Sequence, residues 1–247
     1  MLPFKSFPVM SEAKVAVVVG VGSGLGAAIA HRFAREGFAV GLMARSADKL
    51  AEFQNEIEVA GGKALAVPCD VTDPVSVKVA FAEVESYFDA PEVLVYNAGA
   101  FKMAGILELT PEQFENCWKI NCFGAFLAVQ QVLPTMVERG RGTILLTGAT
   151  AATRGSARFS ALAVGKFGLR ALAQSLAREF SSQGIHVAHI VIDGMINTER
   201  VRGMVLEREA HTLLSPKAIA ENYWQLYKQD KTAWTLELDL RPAVEKF

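Results

Sequence analysis

Lys166 is the only charge in the stretch FSALAVGKFGL, Phe159 to Leu169, where every neighbour is small or apolar. A lone ammonium in an apolar helix either snorkels to the surface along its own methylenes or does chemistry. Far upstream, VVVGVGSGLGAA carries Gly20, Gly24 and Gly26, with Gly22, Ser23 and Leu25 between them. Glycines so spaced after an apolar run permit a tight turn. A helix beginning there offers its N-terminal amides to a phosphate. A dinucleotide pyrophosphate fits that chemistry, although a plain tight turn uses the same residues.

Positioning such groups needs a frame, and the chain alternates short β-branched runs with longer helical patterns. Strands are predicted at Lys14–Gly20, Ala39–Ala44, Lys63–Asp70, Glu92–Gly99, Gly142–Gly148, Gly184–Gly194 and Trp234–Leu240. Helices are predicted at Leu25–Glu36, Ser46–Gly62 with a Ser46 N-cap, Asp73–Phe88, Thr110–Glu138, Phe159–Ser182 and Ser215–Gln229. Near-continuous apolar strands between helices imply a parallel seven-stranded sheet covered on both faces, a single doubly wound α/β domain of Rossmann type. Ligands of such sheets sit at the carboxyl ends of the strands.

With 247 residues, 51% of them hydrophobic, the chain can bury a substantial core, and no linker divides it. The expected organisation is a loose leader over residues 1–13 and one domain over residues 14–247. The leader lacks an apolar signal region, and the longest apolar run, Val15–Ala30, falls short of the roughly 20 residues a span needs. The 25 basic and 26 acidic residues are well mixed, which argues against a nucleic-acid surface. Cys69, Cys117 and Cys122 suggest neither a disulfide framework nor a metal site. A cytoplasmic protein, with no membrane or nucleic-acid partner and no metal, is expected.

Gly-x-x-x-Gly-x-Gly, together with Asn97-Ala98-Gly99 after the fourth strand, resembles the short-chain dehydrogenase/reductase family. Further motifs follow in the family's order, from about Lys14 to Leu240. The resemblance implies that Asp70 and Val71, in CDVTD, meet an adenine. It implies that Asn121 is the active-site asparagine and Lys166 the lysine that holds the nicotinamide ribose. Gly194, Ile196 and Thr198, in IDGMINT, would touch the nicotinamide. Where an NAD-dependent member carries an acid, this chain has Ala44, followed by Arg45, whose planar fork suits a 2′-phosphate. NADP(H) is therefore expected over NAD(H).

The expected catalytic centre departs from the family pattern. Leu162 stands where the family tyrosine precedes the lysine by one turn, and Ala149 stands at the family serine. Related enoyl reductases keep a tyrosine seven residues before the lysine, and here that residue is Phe159. Thr150 and Ser160 carry nearby hydroxyls and are read as structural. Asp193 replaces the family proline before Gly194. It is either an acid whose pKa rises on desolvation or, the favoured reading, a cap that bonds loop amides. His189 is read as a satisfied core histidine, on a sixth strand one residue longer than usual.

Two functions fit. One is an NADP(H)-dependent oxidoreductase acting on a small carbonyl, alcohol or enone with an atypical proton donor. The other is a silent NADP(H)-binding sensor or oligomer partner. The two long helices resemble the family's dimer interface, so a homodimer or homotetramer is expected.

Overall fold

The computed structural model describes residues 13–204 and 209–245. Twelve of the thirteen leader residues and part of the Glu199–Leu214 segment thus lie outside the described residues. Seven parallel strands pair in the order β3-β2-β1-β4-β5-β6-β7. They are β1 Val15–Val19, β2 Ala39–Ala44, β3 Lys63–Pro68, β4 Val93–Tyr96, β5 Gly142–Thr147, β6 Ile185–Ile192 and β7 Glu237–Leu240. Every residue of β1, β4, β5 and β6 is buried, as strands covered on both faces require.

Alternation along each strand divides the core in two. Val15, Val17 and Val19 face one side with α3 (Pro74–Tyr87), α5 (Gly124–Arg139) and α6 (Ser160–Phe180). Ala16 and Val18 face the other with α1 (Leu25–Arg35), α2 (Ala47–Val59) and α7 (Pro216–Lys228). Strand order reverses between β1 and β4, and a crevice opens at such a switch point. Ser46 does occupy the N-cap of α2, but its side chain makes no capping bond.

The long helix read over Thr110–Glu138 is not one regular α-helix. α4 (Pro111–Trp118) begins with a Thr110–Gln113 capping box, and α5 follows only after a π-helical turn at Lys119–Phe123. A π turn inserts a residue into the helical ladder and re-aims a side chain; here that side chain is Asn121. The span Pro111–Arg139 is also long and apolar enough to cross a membrane by length and composition. Leu127, Ala128, Val132 and Met136 of its inner face are instead buried against the sheet.

Candidate active site

The glycine turn closes because two glycines let backbones touch. Gly20 has φ +95°, and a Cβ on it would come within 2.4 Å of the Ala98 amide. Asn97 Nδ2 donates to the Gly20 carbonyl at 2.9 Å, locking the ends of β1 and β4 together. A Cβ on Gly26 would meet that same carbonyl at 2.4 Å, so α1 can lie directly against the strand end. Gly24 is the N-cap of α1 and offers no capping side chain. The first amides of the helix are thereby left for an anion.

A cleft of about 270 Å³ at this crevice is lined by Gly20, Gly22, Arg45, Asp70, Val71 and the turn Asn97–Gly99, with Ala44, Cys69 and Ile120 beside them. Residues from four separate predicted motifs thus meet in one place. Asp70 accepts from the Thr72 amide at 2.9 Å and the Thr72 hydroxyl at 2.8 Å, bonds that hold its carboxyl below the usual range. Ser23 and Gly24 line a second groove on the outer side of α1, and Leu25 is buried beneath the turn. Thr198 packs on the turn from the far side, its Cγ2 standing 2.7 Å from where a Gly24 Cβ would be. Ile196 bridges to Leu214, and Gly194 takes φ +146° against Pro242. The cleft fits a dinucleotide: it has an uncapped helix N-terminus, an arginine at the end of β2 and glycines where backbone must approach a ligand.

Lys166 is buried and does not snorkel. Its Nζ donates to the Thr147 carbonyl at 2.7 Å, against the end of β5. Burial pushes its pKa down to about 8, and only the Cys122 thiol opposes that shift. Asn121 is fully buried on the π turn, and Nδ2 donates to the Ala100 and Cys117 carbonyls. Its Oδ1 has no hydrogen-bond partner among the described residues. Both polar ends flank Gly99, since a Cβ there would lie 3.4 Å from Asn121 Oδ1 and 3.9 Å from Lys166 Nζ. Gly165 lets α6 press onto the π turn, where a Cβ would come within 2.7 Å of Asn121 Cβ. The pair therefore stands behind Gly99, which itself lines the cleft. The resemblance points Lys166 at a ribose; in the structure its hydrogen bond goes to the backbone of β5.

Leu162 and Ala149 are both partly exposed, and Ser160 Oγ is buried without a partner among the described residues. Phe159 stacks at a tilt on Phe101, ring centroids 5.5 Å apart. Arg158, at φ +68°, accepts the Ala104 amide on its carbonyl at 3.0 Å and pairs with Glu108. The segment after β4 is thus clasped to the start of α6, giving the site an apolar wall.

Two expectations are corrected. Asp193 is buried, but it caps no amide among the described residues: its Oδ1 accepts from Thr150 Oγ1 at 2.6 Å, and Arg154 and Arg241 stand at 3.9 and 3.6 Å. The loop turns through Gly194 and leaves its amides out of reach of that carboxylate, which faces the end of β5 instead. His189 is fully buried, yet neither ring nitrogen has a partner among the described residues. The backbone at Gly148 closes against its ring, and a Cβ on Gly148 would clash with its Nε2. Burial pushes its pKa down to about 4, further helped by Lys166 and Arg170 and resisted by Glu237. No local signal marked Arg154 and Arg241 as site residues, because they reach Asp193 only through the pairing of β5, β6 and β7.

A doubly wound parallel sheet with a glycine turn, an Asn-Ala-Gly turn beside it and a buried lysine at the switch point defines a nucleotide-binding α/β protein. The short chain dehydrogenase family model matches residues 14–209, and the chain belongs to that family, whose fold binds NAD(P). An L-2,3-butanediol dehydrogenase of Corynebacterium glutamicum is 32% identical over 214 residues, 85% of this chain and 81% of that one. A short-chain dehydrogenase from Rhodopseudomonas palustris superposes with a TM-score of 0.81 at 39% identity, covering 94% of this chain and 99% of that one. An alcohol dehydrogenase from the archaeon Thermococcus sibiricus, complexed with 5-hydroxy-NADP, gives 0.86 at 27% identity, covering 95% and 99%.

Proposed function

We propose that the protein is an NADP(H)-dependent oxidoreductase acting on a small carbonyl, alcohol or enone, with Leu162 and Ala149 in place of the family's tyrosine and serine. The observation that carries the reading is the cleft in which Arg45 and the glycine turn meet, with Ala44 supplying no carboxylate. When bound, the nicotinamide carries the hydride to or from the substrate. The chain's own work is to seat the phosphates on the α1 N-terminus, hold the adenosine end between Arg45 and Asp70, and keep Lys166 and Asn121 behind Gly99. Phe101, Phe159 and Leu162 offer an apolar face beside Lys166. A general acid contributes about 10²–10⁴-fold, so losing the phenol slows the reaction without removing hydride transfer.

Binding of NADPH is expected to exceed that of NADH, and Arg45→Ala is expected to erase most of the difference. One charge-assisted contact is worth about 1.5–3 kcal/mol, on the order of ten- to a hundredfold in affinity. Calorimetric titration of both cofactors checks this, and equal affinities in the wild type would refute it. NADPH oxidation against carbonyls and enones then tests turnover; tight NADPH binding with no oxidation across the panel would leave a nucleotide-binding protein without catalysis.

Two copies are proposed to pair through the outer faces of α4–α5 and α6. Trp118, Phe126, Val164 and Phe167 are between 38% and 46% exposed there, and Trp118 and Phe126 both stack on Phe123. Such a cluster of large apolar side chains marks an interface. Light scattering at micromolar concentration is expected to show a dimer or tetramer, and a monomer counts against the pairing.

A further inference from the structure

Thr150 and Asp193 stand at the ends of adjacent strands, β5 and β6, and they touch. Thr150 directly follows Ala149 and is partly exposed beside it, while Asp193 directly precedes the Gly194 turn. The hydroxyl donates to Asp193 Oδ1 at 2.6 Å, the short distance of a charge-assisted O–H···O⁻ bond. A hydroxyl that commits its proton inward turns its lone pairs outward, where it can accept only from another donor.

Asp193 is 6% exposed. A buried carboxylate is costly unless its charge is matched. Arg154, on the loop after β5, approaches Oδ1 at 3.9 Å, and Arg241, just past β7, approaches Oδ2 at 3.6 Å while also binding Asp239 at 2.7 Å. Two cations from two elements thus converge on a carboxylate whose one short contact is the hydroxyl beside the vacant serine position.

We propose that Thr150 and Asp193 form the proton relay of this active site, with Thr150 touching the substrate oxygen and Asp193 as the terminal acceptor. The proposal rests on the NADP(H)-oxidoreductase reading above. In the oxidation of an alcohol, the C–H bond breaks and its electron pair leaves as hydride to NADP⁺. The O–H bond breaks as C=O forms; that proton passes to Thr150 Oγ1, and the proton already on Thr150 passes to Asp193 Oδ1. The products are a ketone, NADPH and a protonated Asp193 that returns its proton to solvent. Reduction runs the same steps backwards. Unlike the phenol of the family pattern, this relay approaches from the β6 side of the pocket and not along α6.

The test compares wild type, Thr150→Val, Thr150→Ser and Asp193→Asn on a panel of secondary alcohols with NADP⁺. Thr150→Val and Asp193→Asn are expected to lose about 10²-fold or more in kcat/KM, the scale of general base catalysis. Both should flatten the acid limb of the pH–rate profile, and Thr150→Ser should retain most of the rate and the limb. NADPH affinity by calorimetry should stay near wild type in Thr150→Val, which keeps the residue's shape, and circular dichroism should show that the variant folds. In the cofactor-free protein, proton NMR should show, beside the hydroxyls of Tyr96 and the Thr147–Tyr223 pair, a further hydrogen-bonded hydroxyl resonance that both Thr150→Val and Asp193→Asn remove.

An active wild type whose Thr150→Val and Asp193→Asn forms keep the same rates and profile overturns the relay alone. So does a loss of rate that only follows a loss of NADPH affinity, which would make Asp193 a cofactor-loop anchor. A wild type that binds NADPH but oxidises no alcohol and reduces no carbonyl overturns the oxidoreductase reading and the relay with it.

Discussion

Combining Ala149→Ser with Leu162→Tyr is expected to create or raise NADPH-dependent reduction of a simple activated carbonyl by roughly 10²-fold or more, the scale a general acid supplies. The wall for that acid is already built. Lys166 is buried one helical turn after Leu162, and its charge would favour phenolate and lower the phenol's pKa. Leu162 and Ala149 are both partly exposed, so neither new hydroxyl starts sealed in the core. Circular dichroism and NADPH titration come first, to show that the variant folds and keeps its cofactor. If it folds, binds NADPH and gains nothing on a broad carbonyl panel, the pocket is not a carbonyl-reductase pocket lacking its acid.

Stability is expected to climb with pH in two separate windows, each traceable to one buried base. His189 has its pKa pushed from 6.5 down to about 4. As pH falls from 6.5 towards 4, the unfolded ring takes a proton that the native ring refuses, and stability drops by roughly 3 kcal/mol. Lys166 has its pKa pushed from 10.5 down to about 8. At neutral pH the native state holds a charged amine out of water, and that cost, again roughly 3 kcal/mol, is relieved as pH rises from 8 to 10.5. Denaturant unfolding across pH reads both. His189→Leu should flatten the acid window relative to wild type. Lys166→Met should be more stable than wild type at pH 7, with the gap closing at high pH. Curves that run parallel to wild type in both variants would mean these groups are not desolvated as the fold places them.

The family and the frame were legible in the chain itself. Parallel strands between helices follow from apolar runs that need cover on both faces, and all seven predicted strands are present. Gly20 and Gly26 could be read as cofactor-turn residues because no other residue tolerates backbone atoms at 2.4 Å from its Cβ. The apolar neighbours of Lys166 left a snorkelling and a functional lysine both open, and the family resemblance pointed to the functional one; its burial is what the structure adds. Other features depended on contacts between elements distant in sequence. Tertiary packing alone decided that the long helix breaks into a π turn at Asn121, because α6 must press on it through Gly165. Packing also decided that His189 lacks a partner, because the end of β5 closes over its ring. The role of Asp193 was equally hidden: a carboxylate before a glycine reads as a loop cap. Only the adjacency of β5, β6 and β7 brings Thr150, Arg154 and Arg241 to it, and the physical reason is that a buried charge takes whatever partners the sheet order delivers.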